Sequence, residues 1–341
     1  MNYTIEEYVF NDFNASSKAR KDVSYFILQN GFVSIGKNDK TRIKNNKTAK
    51  ILLAIRLYLK LLLSLSKHDT LFLQQSFAIL KPILFIKRIK RFRVVYLIHD
   101  LFSLRYSSDT SVRQHHDEIR ADMLTLSRCD YVIAHNSIMV DKLRRFGCKS
   151  HLLSLDIFDY YTDAAVRTRK HEEGEQWKVS FAGYLPKSKF LHTIDTTTHS
   201  YDMIIYGAPT EAFESSTYKG SVEPDILPSV IEGHFGLIWE GGYHLTPEDN
   251  YTRINNPHKM SMYIVAGLPI ICWDKSAAAR FVEANELGFS ISSLDDIDER
   301  LHNISSSDYN RMVANCLAMR NSLVRGEHIK NVIQKVPTNE Q

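Results

Sequence analysis

The chain has 341 residues, of which 44% are hydrophobic and 24% charged, and it carries a formal net charge of +4. That length suits two domains of about 150 to 170 residues, each with its own core, and that charge content excludes extended disorder. Four dispersed cysteines (Cys129, Cys148, Cys272, Cys316) with no CxxC pair exclude a disulfide framework and a cysteine metal site, and they fit a reducing compartment.

The first ten residues contain Glu6 and Glu7 and lack a basic stretch followed by an apolar one, so no secretory leader is expected. No run of about 18 uncharged apolar residues is present, so no membrane-crossing helix is expected either. The expectation is a cytoplasmic protein.

In the first half, apolar runs at 8–11, 32–35, 70–74, 94–99, 131–134 and 151–155 read as buried strands. Helical patterns at 16–29, 50–66, 78–90, 112–127 and 138–146 separate them, the last closed by Gly147. This alternation predicts a parallel sheet covered on both faces, a doubly wound domain over 1–160 that binds ligands at the carboxyl ends of its strands. Between positions 37 and 93 the only acids are Asp39 and Asp69. The segment KILLAIRLYLKLLLSLSK (50–67) is expected to put Arg56, Lys60 and Lys67 on one side of a helix, and KRIKRFR follows soon after. It reads either as two core helices with solvated basic faces or as a docking surface for anionic lipid headgroups. Cations set among long aliphatics rather than exposed aromatics argue against nucleic acid.

Residues 161–176 are polar and read as a linker. Over 177–325 the alternation restarts, with strands expected at 178–182, 203–206, 235–239, 269–273 and 289–291. Helices are expected at 226–231, 258–266, 276–284, 294–303 and 307–323, and 326–341 is set apart as a C-terminal tail. Two Rossmann-like, doubly wound domains facing a cleft form the α/β architecture called GT-B.

Three stretches could carry chemistry. In NNPHKMSMYIVAGLPIICWD (255–274) a helix is expected to start near Pro257 and His258, with Lys259 and Ser261 in its first turn. Amide groups at a helix N-terminus carry partial positive charge and suit a diphosphate, and a bound anion would offset the unfavourable placement of Lys259 there. FAGYLPKSKF (181–190) follows the first strand of the second domain. Gly183 there permits a close backbone approach, and Lys187 and Lys189 could reach phosphate. His99 and Asp100 end the run VVYLIHD, where either could deprotonate an acceptor hydroxyl, with Asp12 as runner-up.

Two patterns are set aside. Glu232 and Glu240 match an E-x7-E spacing, but FGLIW between them reads as a strand. Asp296 and Asp298 match a DxD metal motif but stand where acids ordinarily begin a helix. No GxGxxG follows a predicted strand, which counts against a dinucleotide cofactor.

NDFNASSKARKD (11–22), LIHDLFSLR (97–105), HFGLIWEG (234–241) and INNPHKMSMYIVAGLPIICWDKSA (254–277) resemble the bacterial β-1,6-galactofuranosyltransferases of O-antigen and capsule clusters. VIAHNSIMVDKLRRFG (132–147) is similar to the related glucosyltransferases that extend adhesin glycans. The resemblance implies a GT-B fold, a UDP-sugar held mainly by the second domain, and no metal or other cofactor. Carried over by motif, Lys259 touches the donor diphosphate, and Gly183 with the Lys187–Lys189 loop flanks the nucleotide. Asn14, Lys18 and Arg20 lie near donor or acceptor, with Asn-Ala-Ser-Ser where such enzymes often have a glycine-rich loop. An α-linked UDP-galactofuranose giving a β product implies inversion and a base such as Asp100. The acceptor implied is a lipid-linked oligosaccharide at the inner face of the cell membrane. UDP-glucose as donor and a non-catalytic nucleotide-sugar-binding partner subunit are the alternatives, and self-association is left open.

Overall fold

Runs of buried aliphatic residues such as Leu71–Phe72–Leu73 and Ile270–Ile271 are apolar on both faces, which makes them interior strands of parallel sheets rather than half-exposed ribbons. The computed structural model describes residues 1–7, 15–38, 47–105, 112–194, 199–208, 217–240 and 251–337. The chain divides into two units, one comprising Met1–Asp12, Ser16–Phe158 and Glu327–Gln341, the other Phe13–Ala15 and Asp159–Gly326.

The first unit runs β1 (Asn2–Glu7), α1 (Ala15–Gln29), β2 (Val33–Asn38), α2 (Lys47–Ser64), β3 (Thr70–Leu73), α3 (Phe77–Lys90), β4 (Arg93–Leu97), α4 (Phe102–Arg105), α5 (Val112–Leu126), β5 (Tyr131–Ala134), α6 (Ser137–Arg145) and β6 (His151–Ser154). Its strands pair in parallel in the order β2-β1-β3-β4-β5-β6. The chain moves one way from β1 to β2 and the other way from β3 onward, so the order reverses between β1 and β3. Asn136 caps α6 by accepting from the Met139 amide at 2.9 Å, as its residue type favours.

The second unit runs β7 (Trp177–Ala182), two 3-10 turns (Leu185–Lys187 and Lys189–Thr193), β8 (Tyr201–Tyr206), β9 (Thr217–Tyr218), α7 (Leu227–Val230), β10 (Phe235–Ile238), α8 (His258–Val265), β11 (Ile270–Trp273), α9 (Ala277–Ala284), β12 (Gly288–Ile291), α10 (Asp296–His302) and α11 (Ser306–Leu323). Its parallel sheet has the order β12-β11-β10-β7-β8-β9, reversing between β7 and β10. The sheet packs on a core that includes Phe181, Phe190, Phe235 and Tyr309.

Some expectations shift. The first strand is Asn2–Glu7, ahead of the expected 8–11, which lies outside the described residues; only Thr4 and Ile5 of this strand are deeply buried, so its polar residues mask it in the sequence. Lys67 stands three residues past the end of α2 and does not share a helix face with Arg56 and Lys60. The segment set apart as a tail contains a helix, α12 (Glu327–Gln334), which belongs to the first unit and buries Ile329 and Val332. Pro337 next to it accepts a hydrogen bond from the Arg93 guanidinium through its carbonyl oxygen. The polar stretch after Asp159 is fastened to the second unit, where the Arg169 guanidinium donates to the carbonyl oxygens of Ala266, Gly233 and Ile231 at 2.8, 2.8 and 3.0 Å.

Candidate functional site

In doubly wound sheets, ligands gather at the carboxyl ends of the strands where the order reverses. Each unit carries its candidate residues at such a place.

In the first unit, Gln74 directly follows β3. Its Nε2 donates to the Arg20 carbonyl at 3.1 Å and lies 2.8 Å from the Ser24 hydroxyl, both on α1. The Arg20 guanidinium donates back to the Gln74 carbonyl at 2.6 Å. With its nitrogen directed at the Arg20 carbonyl, the Gln74 amide presents oxygen to His99, so His99 Nε2, 2.7 Å away, carries a proton. The His99 ring also stacks on Phe158, with centroids 5.5 Å apart and planes 17° apart. His135 packs edge-on against the same Phe158 ring, and its Nε2 lies 3.1 Å from the Ile98 carbonyl oxygen. Burial pushes its pKa down to about 4, so it is neutral near pH 7. Asp100 pairs with Arg105 of α4 at 3.0 Å, and about a quarter of each side chain is exposed.

The structure therefore brings Arg20, His99 and Asp100 to one end of the first sheet. Lys18 differs: only 4% exposed, it is turned inward onto Asp22 one turn along α1, at 2.5 Å. Asp12 and Asn14 lie outside the described residues. Gln74 is the member that sequence reasoning missed. A buried amide directly after an apolar strand was its one available signal.

In the second unit, α8 begins at His258 with Pro257 as its N-cap, which supplies no side-chain cap. Tyr263, in the last turn of α8, locks the helix to the strand ends. Its hydroxyl receives the Ala182 amide at 2.9 Å and lies 3.2 Å from the Leu237 carbonyl, so it bridges β7 and β10 where the order reverses. A Cβ at Gly236 would stand 2.5 Å from the Tyr263 ring, so only glycine lets β10 pass beneath it. The His258 ring stacks on Tyr160 with centroids 4.9 Å apart, fixing the start of the helix.

This bracing sets the position of Lys259. Its ammonium lies 4.4 Å above the Phe181 ring and within 3.3 Å of where a Cβ on Gly183 would be. Among the described residues it makes no hydrogen bond or ion pair. Burial pushes its pKa down, partly offset by the Glu240 carboxylate. Part of the Lys259 stem is exposed, while the ammonium end is buried against Phe181. Asn255, 8% exposed, adds a buried side-chain oxygen that has no hydrogen-bond partner among the described residues. Lys187 and Lys189 are exposed on the two short turns after Gly183, whereas Ser261 is buried within α8. Gly183, Pro257, His258 and Lys259 thus share one end of the second sheet.

The patterns set aside have structural roles. Glu232 precedes β10 and pairs with Lys219 at 3.0 Å, while Glu240 follows the same strand, so the two carboxylates stand at opposite ends of it. Asp296 accepts from Ser292 and Ser293 at the start of α10, and Asp298 accepts from Ser200 and contacts His199. Among the described residues no three His, Cys, Asp or Glu side chains group to hold a metal ion, and no helix is long and apolar enough to cross a membrane.

Comparison with known proteins agrees with this layout. The N-terminal domain model of glucosyltransferase 3-like proteins matches residues 2–157 and the C-terminal domain model matches 179–336. The chain is 29% identical to the β-1,6-galactofuranosyltransferase WbbI of Escherichia coli strain K12 over 259 residues, covering 74% of this chain and 73% of WbbI. In three dimensions it resembles a sucrose-phosphate synthase from Thermosynechococcus elongatus, with a TM-score of 0.67 at 10% identity over 98% of both chains. It also resembles HepE of Anabaena in complex with UDP and glucose, with a TM-score of 0.59 at 10% identity over 98% of this chain and 99% of that one. The two parallel sheets with their helices are the GT-B fold.

Proposed function

Given that this chain belongs to the glucosyltransferase 3-like family and is a hexosyl glycosyltransferase, we propose that it moves galactofuranose from UDP-galactofuranose, with inversion, onto a lipid-linked oligosaccharide in surface-polysaccharide (O-antigen or capsule) synthesis. The observation that carries the donor half of this reading is Lys259, a buried ammonium that makes no ion pair or hydrogen bond among the described residues, at the start of a helix. A diphosphate supplies the missing charge and accepts from the helix amides. Lys187 and Lys189 add exposed cations on the same loop system. The likeness to WbbI, a β-1,6-galactofuranosyltransferase, supports galactofuranose and a β product.

In this reading the acceptor oxygen attacks the anomeric carbon, Asp100 takes its proton, and the C–O bond to UDP breaks with its electrons going to the diphosphate beside Lys259. His99 and Arg20, tied together through Gln74, hold the Asp100 segment in place. Asp12 is the alternative base. The reaction uses no metal, because lysine and helix amides neutralise the leaving group, and it takes place on the cytoplasmic side of the membrane. A second donor, UDP-glucose, is favoured by the glucosyltransferase 3-like description of both matching domains.

The test is a thermal-shift panel of UDP, GDP, CMP and NAD, followed by turnover assays with UDP-galactofuranose and UDP-glucose, with and without a metal chelator. A ligand at 100 times its Kd stabilises the fold by about 2.7 kcal/mol. The reading expects a shift with UDP alone, then faster turnover of the furanose donor that chelation leaves unchanged. A shift with NAD and none with UDP sinks it, and faster turnover of UDP-glucose replaces the donor.

A further inference from the structure

Seventeen large apolar side chains are exposed among the described residues, and seven of them lie on α2 and α3. On α2, Ile51, Ile55, Leu59 and Leu63 follow one another at intervals of four, and Leu52 flanks them; Leu63 is 82% exposed. This stripe points away from the side that buries Leu57 and Leu61 against the sheet. Phe85 and Ile89 repeat the pattern on α3, at 62% and 60% exposure. Core helices keep such residues inside, so two adjacent helices of one unit have an outer apolar face in addition to the packed one.

The charge around this face has one sign. Past the ends of both helices opens a pocket of about 550 Å³, lined by Lys67, Lys87, Arg88, Arg91, Arg93 and Arg128 with a single acid, Asp130. Asp130 is already engaged, pairing with Lys87 at 2.8 Å and accepting from the Val94 amide. Lys67, Arg88, Arg91 and Arg128 are exposed and have no carboxylate partner among the described residues. The pocket sits where β4 begins, at the opposite end of the first sheet from His99 and Asp100, so it is separate from the candidate site.

We propose that the outer faces of α2 and α3, together with this basic pocket, form a docking surface for an anionic phospholipid bilayer. The apolar stripe enters the headgroup–acyl boundary and the pocket receives lipid phosphate. An in-plane helix requires this combination of apolar face and cationic border. A protein partner would have to match an apolar stripe and an almost purely cationic pocket at once. A bilayer of anionic lipid offers both along its whole surface. The proposal gives a place to the lipid-linked acceptor of the proposed function, yet it rests on other residues, so vesicle binding and turnover fail independently.

The experiment is flotation of the full chain with vesicles of phosphatidylcholine alone and of phosphatidylcholine with phosphatidylglycerol, at low and high salt. Binding is expected only with the anionic lipid, weakened by salt. Each removed cation should lower partitioning roughly fivefold, so Arg88→Ala with Arg91→Ala loses about 25-fold. Leu59→Ser with Leu63→Ser should also reduce binding, and because both side chains are exposed the UDP thermal shift should stay as in the parent protein. Inorganic phosphate at the same ionic strength as the salt control should compete no better than that salt. Equal binding to both vesicle types, no binding to either, or full displacement by phosphate overturns the proposal. So does a change of oligomeric state in the leucine variant with vesicle binding intact.

Discussion

The same end of a parallel sheet is furnished in opposite ways in the two units. In the first, Arg20, Gln74 and His99 are joined by hydrogen bonds, and Asp100 is joined to Arg105 by an ion pair. In the second, Lys259 is braced by apolar and aromatic neighbours and has no ionic partner among the described residues. Pre-paired groups keep their geometry whether or not substrate is present, whereas a buried cation without an ion pair is destabilising until an anion arrives. The first arrangement suits positioning for proton transfer and the second suits binding.

The contrast can be broken most sharply at Asp100. Asp100→Asn retains the shape but cannot take a proton, so kcat should fall by about 10²- to 10⁴-fold while the UDP thermal shift is unchanged. Retained turnover would move the base elsewhere, with Asp12 next in line.

Acid should unsettle both units through buried histidines. His135 in the first unit and His234 in the second have folded pKa values lowered to about 4 by burial. Their unfolded values lie near 6.5, so between these limits the unfolded chain binds more protons and stability falls as pH falls. For His135 the full effect, reached below about pH 4, is on the order of 3 kcal/mol. Chemical denaturation of His135→Asn across this range should show a flatter pH dependence than the parent.

Lys259→Met tests the binding side of the contrast. A charge-assisted contact of about 1.5 to 3 kcal/mol is lost, so the donor KM should rise by roughly 10- to 100-fold. Without ligand the variant should be no less stable than the parent, because the removed charge was buried without an ion pair or hydrogen bond among the described residues. In the parent, donor affinity should weaken as pH rises through the folded pKa of Lys259, which lies below the usual 10.5, since the ammonium is then lost. Ligand-free stability should rise over the interval between those two values, where the unfolded chain holds the extra proton. Smallest of all, Lys187→Ala at its exposed turn should change the donor KM by less than about fivefold, as for other solvent-screened ion pairs.

Much of this was legible in the sequence. Runs such as VVYLI and PIICW are apolar on both faces and can only be interior parallel strands, and the Pro-led helix before GLP announced α8. What escaped notice depends on contacts between distant residues. β1 carries the polar residues Asn2, Thr4, Glu6 and Glu7 in its sequence, and only its pairing with both β2 and β3 makes it a strand. Gln74 and Tyr263 look ordinary in isolation; each matters because 50 or more residues separate it from a partner that it joins. The ammonium of Lys259 was assigned to phosphate from its place in a helix, but its position over Phe181 and beside Gly183 could be seen only once β7 and α8 were packed.

The helix Glu327–Gln334 has a consequence for synthesis. A chain emerging from the ribosome contains every strand of its first sheet once residue 154 has cleared, yet α12, which belongs to that unit, is made only after residues 159–326. The nascent first unit therefore waits, with the partners of Ile329 and Val332 uncovered, for the entire second unit to be translated. Stopping translation before residue 327 should harm the first unit more than the second.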